Sequence, residues 1–398
     1  MFTLKNSISK ALLMSLAIIA FVIFSNANAQ EYKYSNSWGP DGMSVKAKSP
    51  SGVTVNFSTS SVILNDVMVN GMTMKAVNIP SVFLPNNEGF PDLAGTGRFI
   101  AIPQGSRAVY RIVSSRIEKY TNVDVAPAPR IPLETESGPL QYAKNNSIYS
   151  KNAYYPENIV NLSEVSKIRG VDVVMLGITP FQYNPVTKEL IVYRDLQVQV
   201  DFVGGNGKFG EDRLRSRWFD PILSDNLLNG DMLPVIDYGK TLTNSLTPDY
   251  EYVIIRPNNP EFAAWADTIK NFRIKQGIRT GVYSIADIGG NTPTQIETWI
   301  NNAYNTWTVP PVAILILGDY GTDGNVSVTS PIWNSYCVSD NIYGDVNADD
   351  MPEIIMARMT ANNNAQLQIM VSKSLGYELN PPTSANFYNK PITALGWQ

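Results

Sequence analysis

The chain has 398 residues, with 31 lysines and arginines, 35 aspartates and glutamates, one cysteine and no histidine. Without histidine, these residues alone cannot form a Ser-His-Asp triad, a Cys-His pair or a histidine-ligated zinc site. A single cysteine also excludes an intrachain disulfide framework. The net charge of −4, without a basic stripe, argues against nucleic acid as a partner.

The first 29 residues have the pattern of a secretory signal peptide. Lys5 and Lys10 precede an apolar run at 11–24, and the sequence Ala-Asn-Ala at 27–29 is typical of a cleavage site. The run is too short for a comfortable membrane span. We therefore expect a secreted protein, extracellular or at the cell surface, that is not an integral membrane protein after cleavage. The alternative is an uncleaved N-terminal anchor.

Residues 30–228 predict a β-rich, β-sandwich-like domain. Apolar and polar residues alternate at 53–57 and again at 196–202, as expected for strands with one buried face. Asn70 and Gly71 separate two short apolar runs, which is the strongest short hairpin signal. Further strands are predicted at 98–102 and 108–113.

A long hairpin is predicted within 172–193, before the alternating strand. The sequence at 205–210 matches G-x-G-x-x-G, but an antiparallel hairpin precedes it where a dinucleotide site needs a βαβ unit. A loop that closes the β-domain is the better interpretation. Residues 229–249, rich in Gly, Pro, Ser and Thr, are predicted to be a linker.

Residues 250–390 predict a switch to alternating strands and helices. A helix begins at Pro260, and Thr292 with Gln295 forms a capping box for a second helix. The apolar strand at 312–317 ends at Gly318-Asp319, where open parallel sheets place polar ligand-binding residues. The order of elements indicates a doubly wound, mostly parallel sheet.

An acidic loop precedes the last predicted strand of this part. Asp345, Asn347, Asp349 and Glu353 place oxygen atoms at alternate positions, as in the first half of a calcium loop. The loop departs from an EF-hand because it lacks the glycine at the sixth position and the glutamate at the twelfth. Two interpretations stay open, a Ca²⁺ site or a solvated acidic turn, and no organic cofactor is indicated.

Together these features resemble the precursors of gingipain-type cysteine peptidases. The resemblance implies a signal peptide (1–29), a β-sandwich-like prodomain (30–228), a linker (229–249), the α/β first subdomain of a caspase-like catalytic domain (250–390) and the start of a second subdomain (391–398). The motifs that carry it are the hairpin at 181–193, the strand at 196–202, the strand at 252–255, Leu317-Gly318-Asp319, the segment at 339–344, the acidic loop and Ala357-Arg358-Met359.

The resemblance implies a cysteine endopeptidase whose catalytic histidine and cysteine lie in the second subdomain. We therefore expect both to lie beyond residue 398, with no catalytic residue in this chain and no activity of the chain alone. Cys337 does not match the position of the nucleophile. Ser372 stands where arginine-specific members carry an acid, which puts arginine specificity in doubt.

The resemblance also implies that the prodomain packs on the catalytic domain, covers its active site and is removed by cleavage in the linker. Lys240 and Arg217 are the candidate cleavage points. Protein or peptide substrates are expected for the full-length enzyme.

Two other functions are compatible with the sequence. One is a non-catalytic exported binding or carrier module. The other is a hydrolase that uses the carboxylates of Asp319 and Asp340. For Cys337, a buried inert thiol is favoured over a reactive nucleophile, because no histidine is present to activate it.

Overall fold

The computed structural model describes residues 29–80, 82, 86–132, 136–238 and 249–390. The predicted signal peptide, apart from Ala29, and the predicted segment 391–398 lie outside the described residues. The elements of the N-terminal part are β1 (Ala29–Lys33), β2 (Gly42–Ser49), β3 (Gly52–Ser58), β4 (Ser61–Val69), β5 (Met72–Asn78), β6 (Thr96–Ala101), β7 (Ser106–Tyr120), α1 (Asn146–Tyr149), β8 (Val160–Leu162), β9 (Ser166–Ile168), β10 (Val171–Ile178), β11 (Phe181–Asn184), β12 (Glu189–Gly204) and α2 (Asp220–Asn226), followed by a 3₁₀ turn (Gly230–Met232).

The N-terminal part consists of three antiparallel sheets that share one core. Strands β1, β4 and β5 form the first sheet, and β6, β8, β9 and β10 form the second. In the third sheet, β12 pairs with β7 along one edge and with β11 and then β3 along the other, and β2 follows β3. The predicted β-sandwich-like fold is confirmed. The shared core includes Val53, Val55, Phe57, Leu64, Val77, Ile100, Leu176, Val192, Leu196 and Val198.

Local sequence explains several of these strands. Alternate residues of β3 are fully buried, as the period of two requires. Between β4 and β5, Asn70 and Gly71 have φ values of 49° and 81°. Positive φ at both central positions is the signature of the hairpin turn that Asn-Gly favours.

Two predicted strands are longer in the structure than in the sequence pattern. The strand predicted at 108–113 is part of the 15-residue β7, and the two strands predicted at 190–193 and 196–202 are one 16-residue strand, β12. A register shift between Tyr193 and Asp195 lets β12 continue where the alternation breaks. The predicted long hairpin is divided, because β10 and β11 belong to different sheets.

The C-terminal part contains one parallel sheet with helices on both faces. Its strands run in the order β14-β13-β15-β18, and all neighbours are parallel. The elements are β13 (Tyr252–Arg256), α3 (Pro260–Lys275), β14 (Thr280–Ser284), α4 (Pro293–Thr306), β15 (Ala313–Leu317), β16 (Ile332–Trp333), β17 (Cys337–Val338), α5 (Asn341–Gly344), β18 (Ile355–Met359), α6 (Asn364–Leu379) and α7 (Ala385–Tyr388).

Alternate residues of the central strands are buried on opposite faces of this sheet. Ile255 and Ile316 pack with α4, whereas Ile254 and Leu317 pack with α3 and α6. Burial on both faces explains why β15 reads as a continuous apolar run. The predicted doubly wound α/β architecture is therefore confirmed.

The helices begin where the capping residues predict. The Thr292 side chain accepts a hydrogen bond from the backbone of Gln295, whose side chain bonds the Thr292 backbone in return. Asn259 and Asn363 cap α3 and α6 with their side chains, which accept hydrogen bonds from the backbones of Glu261 and Gln366. Within the described ranges, no helix is both long enough and apolar enough to cross a membrane.

Candidate functional site

The first candidate site is the carboxyl-terminal edge of the parallel sheet. After β15, Gly318 adopts a φ of +106°, and a Cβ there would lie 2.8 Å from the carbonyl oxygen of Val326. Only glycine fits this turn without strain. The turn places Asp319 beside Asn362, whose side-chain amide donates to Asp319 Oδ2 over 2.9 Å.

Arg358, on β18, organises the loops at this edge. Its Nε and Nη2 atoms donate to the two oxygens of Asp340, each over 2.7 Å. Nη2 also donates to Ser330 Oγ over 2.7 Å, and Nη1 donates to the carbonyl oxygens of Gly318 and Val328 over 3.0 and 2.8 Å. One guanidinium therefore ties together the loop after β15 and the segment before α5.

In this network, both carboxylate oxygens of Asp340 accept hydrogen bonds from Arg358. Burial by itself raises the pKa of Asp340, but the hydrogen bonds from Arg358 and Ser330 outweigh burial and the pKa is lowered overall. A carboxylate held ionised between an arginine and a serine is poorly suited to donate a proton as a general acid. The geometry thus gives no support to a hydrolase that uses Asp319 and Asp340 as its acid and base.

Cys337 lies on the two-stranded hairpin of β16 and β17. Its side chain is partly exposed and forms no disulfide. The expectation of a buried thiol is therefore wrong, since the hairpin projects Trp333 and Val338 toward solvent as well. Ser372 lies exposed on α6, directly after the buried Val371, and whether the enzyme is specific for arginine stays untested.

The second candidate site is the acidic loop, which lies at the opposite, amino-terminal edge of the sheet. Asp345 accepts hydrogen bonds from the backbone of Asp349 and Asp350, over 3.1 and 2.9 Å. Glu353 accepts one from the Val346 backbone over 3.0 Å and one from the Asn347 side chain over 2.7 Å. The four residues predicted from the sequence are thus brought together in one compact loop.

Negative charge is concentrated in this loop. Glu353 is 1% exposed, and burial raises its pKa to about 7, with Asp349 and Asp345 adding to the rise. Across the described residues, however, no three aspartate, glutamate or cysteine side chains are grouped so that they could hold a metal ion. The calcium interpretation stays a prediction.

That prediction has a measurable outcome. Five millimolar Ca²⁺ is expected to raise the unfolding free energy of the full chain by about 1 kcal/mol, because a divalent cation would relieve the repulsion between Asp345, Asp349 and Glu353. Differential scanning calorimetry with and without Ca²⁺ measures it. The double variant D345N/D349N should lose the effect. Equal stabilisation by Mg²⁺, or none by either ion, would leave the solvated acidic turn as the correct interpretation.

The N-terminal β-rich part packs directly on this amino-terminal edge. The Lys167 backbone N–H, on β9, donates to Asp349 Oδ2 over 2.7 Å. Leu214, from the segment after β12, is buried in the same core cluster as Val253 of β13. Val312, just before β15, is in turn buried in the core of the N-terminal part. The predicted packing of the prodomain on the catalytic domain is confirmed.

One residue of this interface was missed by the sequence patterns. Arg169 is fully buried and bonds the backbone of the loops that enter β15 and β18. In the sequence it is an arginine before a glycine in a short turn, which is typical of an exposed position. No sequence pattern distinguishes an arginine of a solvent-exposed turn from one that is buried against another domain.

Comparison with known proteins agrees with this architecture. The family model described as "Propeptide_C25" matches residues 33–227, and the model described as "Peptidase family C25" matches residues 245–396. The chain belongs to peptidase family C25. It carries a C25 propeptide followed by part of a C25 peptidase domain, so the predicted gingipain-type resemblance is confirmed. The exact domain boundaries predicted from the sequence stay predictions.

Curated C25 relatives come from Porphyromonas gingivalis. Lys-gingipain HG66 is 24% identical over 352 residues, which are 86% of this chain and 20% of the relative. Gingipain R1 is 23% identical over 395 residues, which are 95% of this chain and 37% of the relative. This C25 chain therefore spans between about a fifth and two fifths of the length of these relatives.

Solved structures of C25 proteins also match. A complex of the RgpB pro- and mature domains from Porphyromonas gingivalis has a TM-score of 0.43 and 21% identity, and the match covers 48% of this chain and all of that one. A structure concerning the zymogenic latency of gingipain K, from the same organism, has a TM-score of 0.38 and 23% identity, with 45% of this chain and all of that one covered.

Proposed function

We propose that this chain is the N-terminal part of the precursor of an exported cysteine endopeptidase, held as a zymogen by its prodomain. The observation that carries the proposal is the joint match of propeptide and peptidase models of one family to the two parts of one chain. The docking of the two parts through a shared interface supports it. The signal-peptide pattern of the first 29 residues supports export.

The structure supports a non-catalytic role for the described α/β subdomain residues. Asp340 and Arg358 neutralise each other, and Cys337 lies on an exposed hairpin with no histidine anywhere in the sequence to activate it. In this proposal, the subdomain supplies the edge of the sheet on which the active site is assembled. Peptides or proteins are the proposed substrates.

We also propose that activation proceeds by cleavage near Lys240 and not at Arg217. The Arg217 side chain is held by hydrogen bonds, because its Nη2 donates to Glu251 over 2.9 Å and to the carbonyl oxygen of Gly277 over 2.7 Å. Lys240 lies outside the described residues, and Pro234 and Val235 before it are exposed. A peptidase needs an extended, unpaired substrate segment. Sequencing the new N-terminus of the processed protein tests this assignment.

The test of the proposed function is expression of the whole open reading frame that contains these 398 codons. We expect peptide hydrolysis that rises after linker cleavage and is abolished by a thiol-alkylating reagent. The variant C337S should keep the activity and its sensitivity to alkylation. Loss of activity in C337S would show that Cys337 is the nucleophile. The absence of hydrolysis of a peptide mixture that offers every residue at the cleavage position would favour the exported binding module.

A further inference from the structure

Three arginines of the prodomain reach the amino-terminal edge of the parallel sheet. Arg169 lies in the turn between β9 and β10, and Arg213 and Arg217 lie in the segment after β12. All three donate hydrogen bonds to backbone carbonyl oxygens of the α/β subdomain. We refer to these three residues as the arginine clamp.

Arg169 is the centre of the clamp. Its Nη1 donates to the carbonyl oxygens of Pro311 over 2.5 Å and of Glu353 over 3.2 Å, and its Nη2 donates to that of Pro310 over 3.2 Å. Its Nε donates to the carbonyl oxygen of Leu214 over 2.5 Å. The side chain is 0% exposed. One residue of the prodomain therefore joins the loops that lead into two adjacent strands, β15 and β18.

Two aromatic rings lie next to the positively charged guanidinium of Arg169. The rings of Tyr304 and Phe219 lie 5.2 and 5.9 Å from its guanidinium carbon, within the range of cation–π attraction. The following Gly170 has a φ of +76°, and a Cβ there would lie 2.9 Å from the Leu214 side chain. The turn is thus shaped for the close approach that inserts Arg169 between the domains.

The other two arginines bind the ends of helices. Arg213 Nη1 donates to the carbonyl oxygens of Tyr304 and Trp307, over 2.9 and 3.0 Å, at the end of α4. Arg217 Nη2 reaches the carbonyl oxygen of Gly277, just after α3. The last carbonyl groups of a helix lack partners within it and carry the negative end of the helix dipole. The Arg213 contact therefore pairs a cation with unsatisfied carbonyl oxygens of α4, whereas Arg217 binds the turn that follows α3.

We propose that the arginine clamp is the anchor that keeps the prodomain bound to the α/β subdomain after the linker has been cut. The segments bound by the clamp lead into all four parallel strands. Arg169 binds the loops before β15 and β18, and Arg217 binds Gly277 before β14 and Glu251 immediately before β13. This edge is opposite to the one that holds Asp319, so the anchor is separate from the carboxyl-terminal edge. The inference deepens the proposed zymogen role, but its test measures binding alone and needs no peptidase activity.

The experiment uses the full chain with a recognition sequence for a site-specific protease placed within 239–248. After cutting, the N-terminal piece is immobilised by a terminal tag, and release of the C-terminal piece is followed over time. We expect the wild-type pieces to stay together, and R169M to release at least 30-fold faster, because three carbonyl oxygens of the α/β subdomain lose their donor. R169K should fall between the two, since an ammonium group keeps the charge but not the planar fork.

The matched control is R111A. Arg111 also belongs to the prodomain, but it is exposed and its nearest acidic partner, Asp201, lies 3.7 Å away; release should stay at the wild-type rate. Circular dichroism of the uncut chains shows whether each variant folds. If R169M does not fold, the double variant R213A/R217A decides, with release expected to be at least 10-fold faster. A wild-type release rate in R169M, or in the double variant when it decides, overturns the proposal.

Discussion

Replacing Arg358 by methionine is expected to lower the unfolding free energy of the α/β subdomain by about 3 kcal/mol. Methionine keeps much of the length and apolar volume of the side chain but donates no hydrogen bonds. Asp340 would be left as a largely buried carboxylate without its cation, and the carbonyl oxygens of Gly318 and Val328 would lose their donor. Urea denaturation followed by circular dichroism measures the change.

A matched control is available in the same subdomain. Arg273 also makes a two-pronged pair with a carboxylate, that of Glu378, over 2.6 and 2.7 Å. This pair is on the surface between α3 and α6, where solvent weakens the attraction, so R273M should cost no more than about 1 kcal/mol. Equal losses in R273M and R358M would show that burial of the Arg358 network contributes nothing.

The same network gives an expected pH dependence. Since the pKa of Asp340 is lowered in the folded protein, its contribution is fully present above the unfolded pKa of about 4 and is lost as the pH falls through the lower folded value. The difference in stability between wild type and R358M should therefore shrink toward pH 2. A difference that stays constant from pH 7 to pH 2 would contradict the assignment of the charge pair.

Replacing Asp195 by alanine is expected to destabilise the prodomain by about 3 kcal/mol. Asp195 is fully buried on β12, at the point where the strand changes register. It accepts hydrogen bonds from the Trp38 backbone and the Ser58 hydroxyl, each over 2.8 Å, and pairs with Arg116 over 2.5 Å. Without it, the connection between β1 and β2, the end of β3 and β7 lose their common partner. Thermal unfolding of the full chain, followed by circular dichroism, should show an earlier transition.

Asp201 provides the comparison on the same two strands. It faces Arg111 of β7 over 3.7 Å, with both side chains substantially exposed. D201A should change the stability by less than about 1 kcal/mol. If D195A were as mild as D201A, the buried position of Asp195 would not be what fixes the N-terminal segment.

Most of the architecture could be predicted from the sequence because burial repeats with a clear period. The alternation of β3 and the uninterrupted apolar run of β15 each identify a strand. The expectation of one wet face in β3 is wrong, because the polar residues Asn56 and Ser58 are buried as well. The length of β7 could not be predicted in this way. Its far end is rich in charged and exposed residues, and it is a strand only because it pairs with β12 over its whole length.

The candidate sites were predictable to different degrees. Gly318-Asp319 follows an obvious buried strand, so its place at the edge of the sheet follows from the order of elements. The arginine clamp leaves no comparable pattern, because the partners of Arg169 are carbonyl oxygens that every residue possesses. Only the three-dimensional arrangement shows that these carbonyl groups face the prodomain.

Recognition of the main chain also has an evolutionary consequence. An interface built from paired side chains constrains both partners, since a change on one side calls for a compensating change on the other. The arginine clamp constrains the prodomain side chains more than those of the α/β subdomain. A substitution at Trp307 keeps the carbonyl oxygen that Arg213 binds, provided that the backbone keeps its course. The α/β subdomain can therefore change its surface residues while an unaltered prodomain continues to hold it.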